Sequence, residues 1–183
     1  MNEFLKQANL IKDEIINYRR TIHKNPEVGA ELPKTKAYVM EQLKKMGYEP
    51  KEICESGIVA TLEGNKSGKT FLLRADMDAL PMKENNECDF KAENGCMHSC
   101  GHDMHTAMLL GAAKLLMQNK EQIEGTVKLV FQPDEEGFTG SKKMIQAGVL
   151  ENPKVDAAMA MHVHSGTPSN VILCGLGRSE ERR

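Results

Sequence analysis

Tryptophan is absent from this sequence, and phenylalanine and tyrosine together bring the aromatic content to only 4%. The core must be filled by other side chains, and twelve methionines, apolar and conformationally adaptable, suit that task. No apolar run approaches the ~20 residues that cross a bilayer as a helix. An excess of either charge is also missing. With 24 basic and 26 acidic side chains the formal net charge is -2, which leaves no electrostatic footprint for nucleic acid or an anionic membrane. The opening Met1-Asn2-Glu3-Phe4-Leu5-Lys6 has no signal-peptide architecture, so a cytoplasmic location is expected. Five cysteines are an odd number without framework spacing; in a reducing compartment they read as thiols or ligands, not bridges. A chain of 183 residues suits one domain with a real core.

What the sequence does have is concentrated in one stretch. Cys96-Met97-His98-Ser99-Cys100-Gly101-His102-Asp103-Met104-His105-Thr106 packs two thiols, three imidazoles and a carboxylate into eleven residues. Thiolate and imidazole together suit a divalent transition metal, zinc above all. The apolar, helix-forming segment Ala107–Met117 follows directly, so the cluster is expected in a loop at a helix N-terminus, with His105 one turn in. Cys100 and His102 are only two residues apart. Each could face one of two adjacent ions, or both could face the same one.

The rest of the chain alternates helical and strand patterns. Apolar residues from Phe4 to Tyr18 recur with helical period, predicting one helix from Glu3 to about His23. Pro26 disfavours helix at Asn25, which puts His23 near the helix end, where it can meet the dipole. A helix over Lys34–Lys45 ends at Gly47. Ile53–Leu62 and Thr70–Arg74 read as strands joined by the turn Gly64–Gly68, and Lys83–Gly95 as an irregular loop. Thr126–Phe131 reads as a further strand, Ser141–Ala147 as a short helix, and the apolar run Val155–Val163 as a buried strand. This alternation predicts a three-layer α/β domain with a mixed sheet.

Three of these strands end in groups that can bind metal. Asp76 and Asp78 follow the first, Asp134, Glu135 and Glu136 the second, and His162 and His164 close the third. In open α/β sheets the site lies beyond the carboxyl ends of the strands. If Glu135 and Glu136 remain extended, their side chains point opposite ways, so one could bind metal while the other acts as a base.

The segments Arg19–Glu27, Leu73–Pro81, His98–Asp103, Phe131–Gly137 and Met161–Val163 occur here in the order seen in the metal-dependent amidohydrolases. The chain therefore resembles the hippurate hydrolases, N-acyl-amino-acid amidohydrolases and auxin-conjugate hydrolases, relatives of aminoacylase and the dinuclear zinc carboxypeptidases. The resemblance runs from about Asn9 to Gly177. It implies an αβα catalytic domain of the zinc-exopeptidase type and hydrolysis of the amide bond of N-acyl amino acids or short peptides. It also implies two divalent ions, zinc or manganese, with nickel or cobalt as alternatives. By position, Cys100, His102, Glu136 and His162 fall on metal-binding positions and Glu135 on the general base and acid. Asp78 falls on an active-site aspartate that supports a metal-bound histidine or the ion pair. Asp76 stands where other exopeptidases of the clan carry a histidine ligand and is not assigned as one. His98, His105 and His164 are read as supporting residues, and Asp103 as a carboxylate able to hold an imidazole.

Full-length relatives are about twice as long by this resemblance, and they form dimers or tetramers. Residues 1–177 are expected to be the first part of a catalytic domain, without the lid and dimerisation domain or the segment bearing one further histidine ligand. Residues 178–183 are an off-pattern charged tail. An inactive metal-binding half-domain, a carboxypeptidase and an N-acetyl-diaminopimelate deacetylase are the alternative readings.

Overall fold

The computed structural model describes residues 3–168 and 171–173. The tail at 178–183 and Cys174 lie outside the described residues. Two helices, α1 (Glu3–Leu10) and α2 (Lys12–His23), occupy the segment whose periodicity predicts one. The chain departs from helical geometry at Ile11, where φ is -102° and ψ is 11°. A one-residue break leaves the amphipathic pattern nearly in phase, so periodicity does not register it. Helix α3 (Pro33–Lys45) opens on a proline, whose fixed φ suits the first turn.

The sheet begins with β1 (Lys51–Ile53) and β2 (Gly57–Glu63), two short strands where one was expected. Cys54, at φ 56°, turns the chain between them. Strand β3 (Lys66–Asp76) is longer than predicted and shortens the connecting turn. Helix α4 (His102–Gln118) carries the chain to β4 (Glu124–Gln132); α5 (Gly140–Gln146) and β5 (Ala157–Ala160) follow. The order across the sheet is β1-β2-β4-β3-β5. The pairs β1/β2 and β2/β4 are antiparallel, while β3 runs parallel to both β4 and β5. The three strands whose ends carry ligand-type residues are therefore neighbours.

Helices cover both faces. On one, Tyr18, Val39, Leu43, Leu109 and Leu110 pack against Ile58, Leu62, Leu129 and Phe131 of the sheet. On the other, Met144 of α5 and Val149 pack against Leu72 and Val130. This is the expected αβα arrangement, with the α5 layer the thinner. One expectation fails. The apolar run at Val155–Val163 yields only the four-residue β5, and all four residues are exposed. Among the described residues β5 pairs with β3 alone, so apolar composition there does not mean burial. Among the described residues, no helix is long and apolar enough to cross a membrane.

Candidate metal centre

Parallel β3 and β4 end side by side, and the Asp76/Gln132 pair is the last in their register. Beyond it, Asp78 is buried, and its carboxylate accepts the backbone N–H groups of Glu135 at 3.0 Å and Glu136 at 3.1 Å. This bond pair curls the chain after β4. Glu135 and Glu136 consequently lie in a turn, not in extended backbone. The argument from alternating side chains therefore fails, because both carboxylates reach the same imidazole. His102 Nε2 lies 3.8 Å from Glu135 Oε2 and 3.9 Å from Glu136 Oε1. The two glutamates differ instead in surroundings. Glu136 Oε1 is buried without a hydrogen-bond partner, whereas the Glu135 side chain is 36% exposed.

His102 is the first residue of α4, held there by Gly101 at φ 89°. A Cβ on Gly101 would sit 2.4 Å from Val163 Cγ2, so glycine serves both the backbone conformation and the close approach. The Nδ1–H of His102 donates to the carbonyl of Asp78 at 2.8 Å. That bond fixes the tautomer and leaves Nε2, buried and unpartnered, facing the glutamates. His162 repeats the device. Its Nδ1–H donates to the Val163 carbonyl at 2.6 Å, and its Nε2 lies 3.4 Å from Cys100 Sγ.

Ligand atoms of Cys100, His102 and His162 lie within 4.8 Å of one another, as do those of His102, Glu135 and Glu136. His102 belongs to both groups. Two ligands ~2 Å from a common ion are separated by ~3.3–4 Å, so these spacings fit a divalent metal. The electrostatics fit as well. Burial, Glu136, Glu135 and Asp76 push the Cys100 thiol up to about 11, so a thiolate here depends on a compensating cation. Burial, with Asp76 and Glu136, also raises Glu135 above the ordinary carboxylate range, although His102 opposes the shift. Burial disfavours the imidazolium of His102, yet the bond to Asp78 and the surrounding carboxylates outweigh it and raise its pKa.

The remaining candidates lie around this centre. Asp76 comes within 3.7 Å of His102 Nε2, but its oxygens are already engaged by Arg74 and His105, each at 2.6 Å. Burial opposes its ionisation; those partners and His102 still bring its pKa down to about 2. Asp103 holds an imidazole, as its position suggested, but that of His23, at 2.8 Å. His23 itself is more than a residue meeting a helix dipole. It is buried, with its second nitrogen 3.0 Å from Glu84, while Arg19 donates to Asp103 at 2.9 Å. Glu84, within the polar loop, carried no sequence signal. His98 is buried with neither ring nitrogen bonded, and burial pushes its pKa down to about 4. His164 is exposed and lies 3.3 Å from Thr167 Oγ1.

The sequence profile of peptidase family M20/M25/M40 matches residues 72–177, and the chain belongs to that family. It is 48% identical over 167 residues to thermostable carboxypeptidase 2 of Saccharolobus solfataricus, a match covering 88% of this chain and 42% of the relative. It is 39% identical over 166 residues to the N-acyl-L-amino acid amidohydrolase of Geobacillus stearothermophilus, covering 89% and 44% respectively. The crystal structure of the Bacillus subtilis YXEP protein, described as a dinuclear metal-binding peptidase from the M20 family, superposes with a TM-score of 0.83 at 35% identity. That match covers 87% of this chain and 45% of the YXEP chain. The chain thus spans less than half the length of the relatives it matches.

Proposed function

We propose that this chain carries the metal centre of an amidohydrolase that cleaves the amide bond of N-acyl amino acids. One observation carries the reading. Nε2 of His102 and Oε1 of Glu136, both buried and unpartnered, face each other at 3.9 Å beside Cys100 and His162. Buried polar atoms without partners are rare and costly, and a shared cation relieves both. Cys100, His102, Glu136 and His162 would hold two divalent ions, zinc or manganese. When bound, the ions would polarise the substrate carbonyl and make water a better nucleophile near neutral pH.

Glu135, the more exposed glutamate, takes the proton from the attacking water and returns it to the leaving amine. Asp78 holds both glutamates by their backbone N–H groups and aims His102 through its carbonyl, so it positions the base and a ligand together. Identity to a carboxypeptidase supports a second reading, in which the amide bond cut is that of a peptide's C-terminal residue. The expected setting is the cytoplasm.

The test compares Glu135→Gln with Glu136→Gln in this chain and in any longer form that contains it. Glu135→Gln should keep its metal and, in a form that hydrolyses N-acetyl or N-benzoyl amino acids, lose about a hundred- to ten-thousandfold in rate. Glu136→Gln should lose metal and turnover together. Exchanged outcomes would exchange the two roles, and normal metal content in both variants would remove Glu136 from the centre. A preference for unblocked peptides over N-acyl amino acids would favour the second reading.

A further inference from the structure

His105 lies one turn into α4, and both its ring nitrogens are committed, one to the end of β3 and the other to backbone just beyond β5. Its Nδ1–H donates to Asp76 Oδ1 at 2.6 Å, at the end of β3. Its Nε2 accepts the backbone N–H of Val163 at 3.0 Å, just beyond β5. The chain of bonds continues behind Asp76. Arg74 donates to Asp76 Oδ2 at 2.6 Å and to Gln132 Oε1, on β4, at 2.9 Å. A relay of side chains thus ties the ends of β4, β3 and β5 together beneath the candidate metal centre.

The β5 end needs such a tie. Among the described residues its four strand residues are exposed and pair with β3 only, and the register ends at Ala160. His162 nevertheless has to aim Nε2 at Cys100 Sγ, 3.4 Å away. It does so through Val163, whose carbonyl fixes the His162 tautomer and whose N–H is the group His105 grips. The rings of His105 and His162 also pack edge to face, with centroids 4.6 Å apart. With Nδ1 on Asp76 and Nε2 on Val163, His105 has no lone pair left for an ion.

We propose that His105 is a positioning residue, a clip that sets His162 in the centre by gripping the Val163 backbone, with Asp76 fixing the tautomer that makes this possible. The proposal rests on the reading of Cys100 and His162 as ligands. A ligand at a loosely held strand end costs entropy to immobilise each time metal binds, and the clip meets that cost in the fold.

Two conservative replacements separate the clip from simple packing. The amide of His105→Gln reaches the Nε2 position and can still accept the Val163 N–H. The amide of His105→Asn reaches only the Nδ1 position, keeping the bond to Asp76 and losing Val163. The readouts are hydrogen exchange at the Val163 amide, followed by NMR without metal, and titration with Co²⁺ alone, followed by its thiolate charge-transfer band. His105→Asn should exchange Val163 about tenfold faster and bind Co²⁺ about 10–100-fold more weakly. His105→Gln should stay near wild type in both. Unchanged Val163 exchange in His105→Asn would overturn the clip, as would equal effects of Asn and Gln. Cys100→Ala and His162→Ala, with Co²⁺ affinity measured by isothermal titration calorimetry, report on the underlying reading separately. If they bind Co²⁺ as tightly as wild type, the ligand assignment fails, while Val163 exchange still decides whether the clip exists.

Discussion

At the scale of single residues, His23 carries the most testable electrostatics. It stands between the Asp103 and Glu84 carboxylates, and the Asp103 bond, aided by Glu84, raises its pKa against the opposing effect of burial. A folded-state value above the unfolded ~6.5 means that the protonated imidazole stabilises the fold. That contribution is complete below about pH 6.5 and is lost as pH rises through the raised folded value. The melting-temperature gap between wild type and His23→Gln should therefore be widest at mildly acidic pH and narrow as pH rises. A gap independent of pH would mean that His23 acts through shape alone. Residue roles were unevenly legible in the sequence. Ligand chemistry at strand ends and at a helix start drew attention to Cys100/His102, Glu135/Glu136 and His162/His164, and the family resemblance narrowed these to the proposed set Cys100, His102, Glu136 and His162. Glu84 and the bonds of His105 to Asp76 and Val163 did not, because they depend on partners 8 to 61 positions away that only the fold brings close. The extended-strand argument for Glu135 and Glu136 failed because Asp78 bends their backbone, and a side chain 57 residues upstream leaves no local signature.

At the scale of elements, hydrophobic period located most of the regular structure but merged α1 with α2 and β1 with β2, because backbone detail sets where each element breaks. β3 starts earlier than its apolar residues suggest because Lys66 pairs with Glu124 before the register shift that precedes Thr70. That irregular stretch lets β4 begin close against β3, and Gly125 makes the approach possible. Its φ is +84°, and a Cβ there would lie 2.2 Å from the Lys69 carbonyl oxygen. Gly125→Ala combines a strained conformation with a clash against backbone that cannot swing away. It should destabilise the fold by about 1–3 kcal/mol, measured by denaturant unfolding. A stability equal to wild type would show that the β3/β4 start can shift freely. The exposure of β5 was the other element-level surprise. An apolar run reads as buried from sequence, and only topology reveals that, among the described residues, a single strand flanks it.

At the scale of the whole molecule, topology assembles the candidate centre. Parallel β4, β3 and β5 lie side by side, so their carboxyl ends, together with the N-terminus of α4, converge on one rim of the sheet. Segments more than 80 residues apart in sequence, from Asp78 to His162, meet there as a consequence of strand order. We propose that this rim is a metal centre. It is tested most directly by anomalous diffraction at the zinc edge from crystals grown with zinc. Zinc bound at the proposed two-ion site gives strong anomalous peaks in the space lined by Cys100 Sγ, His102 Nε2, Glu136 Oε1 and His162 Nε2. Zinc bound elsewhere, with that space holding no anomalous signal, would contradict it.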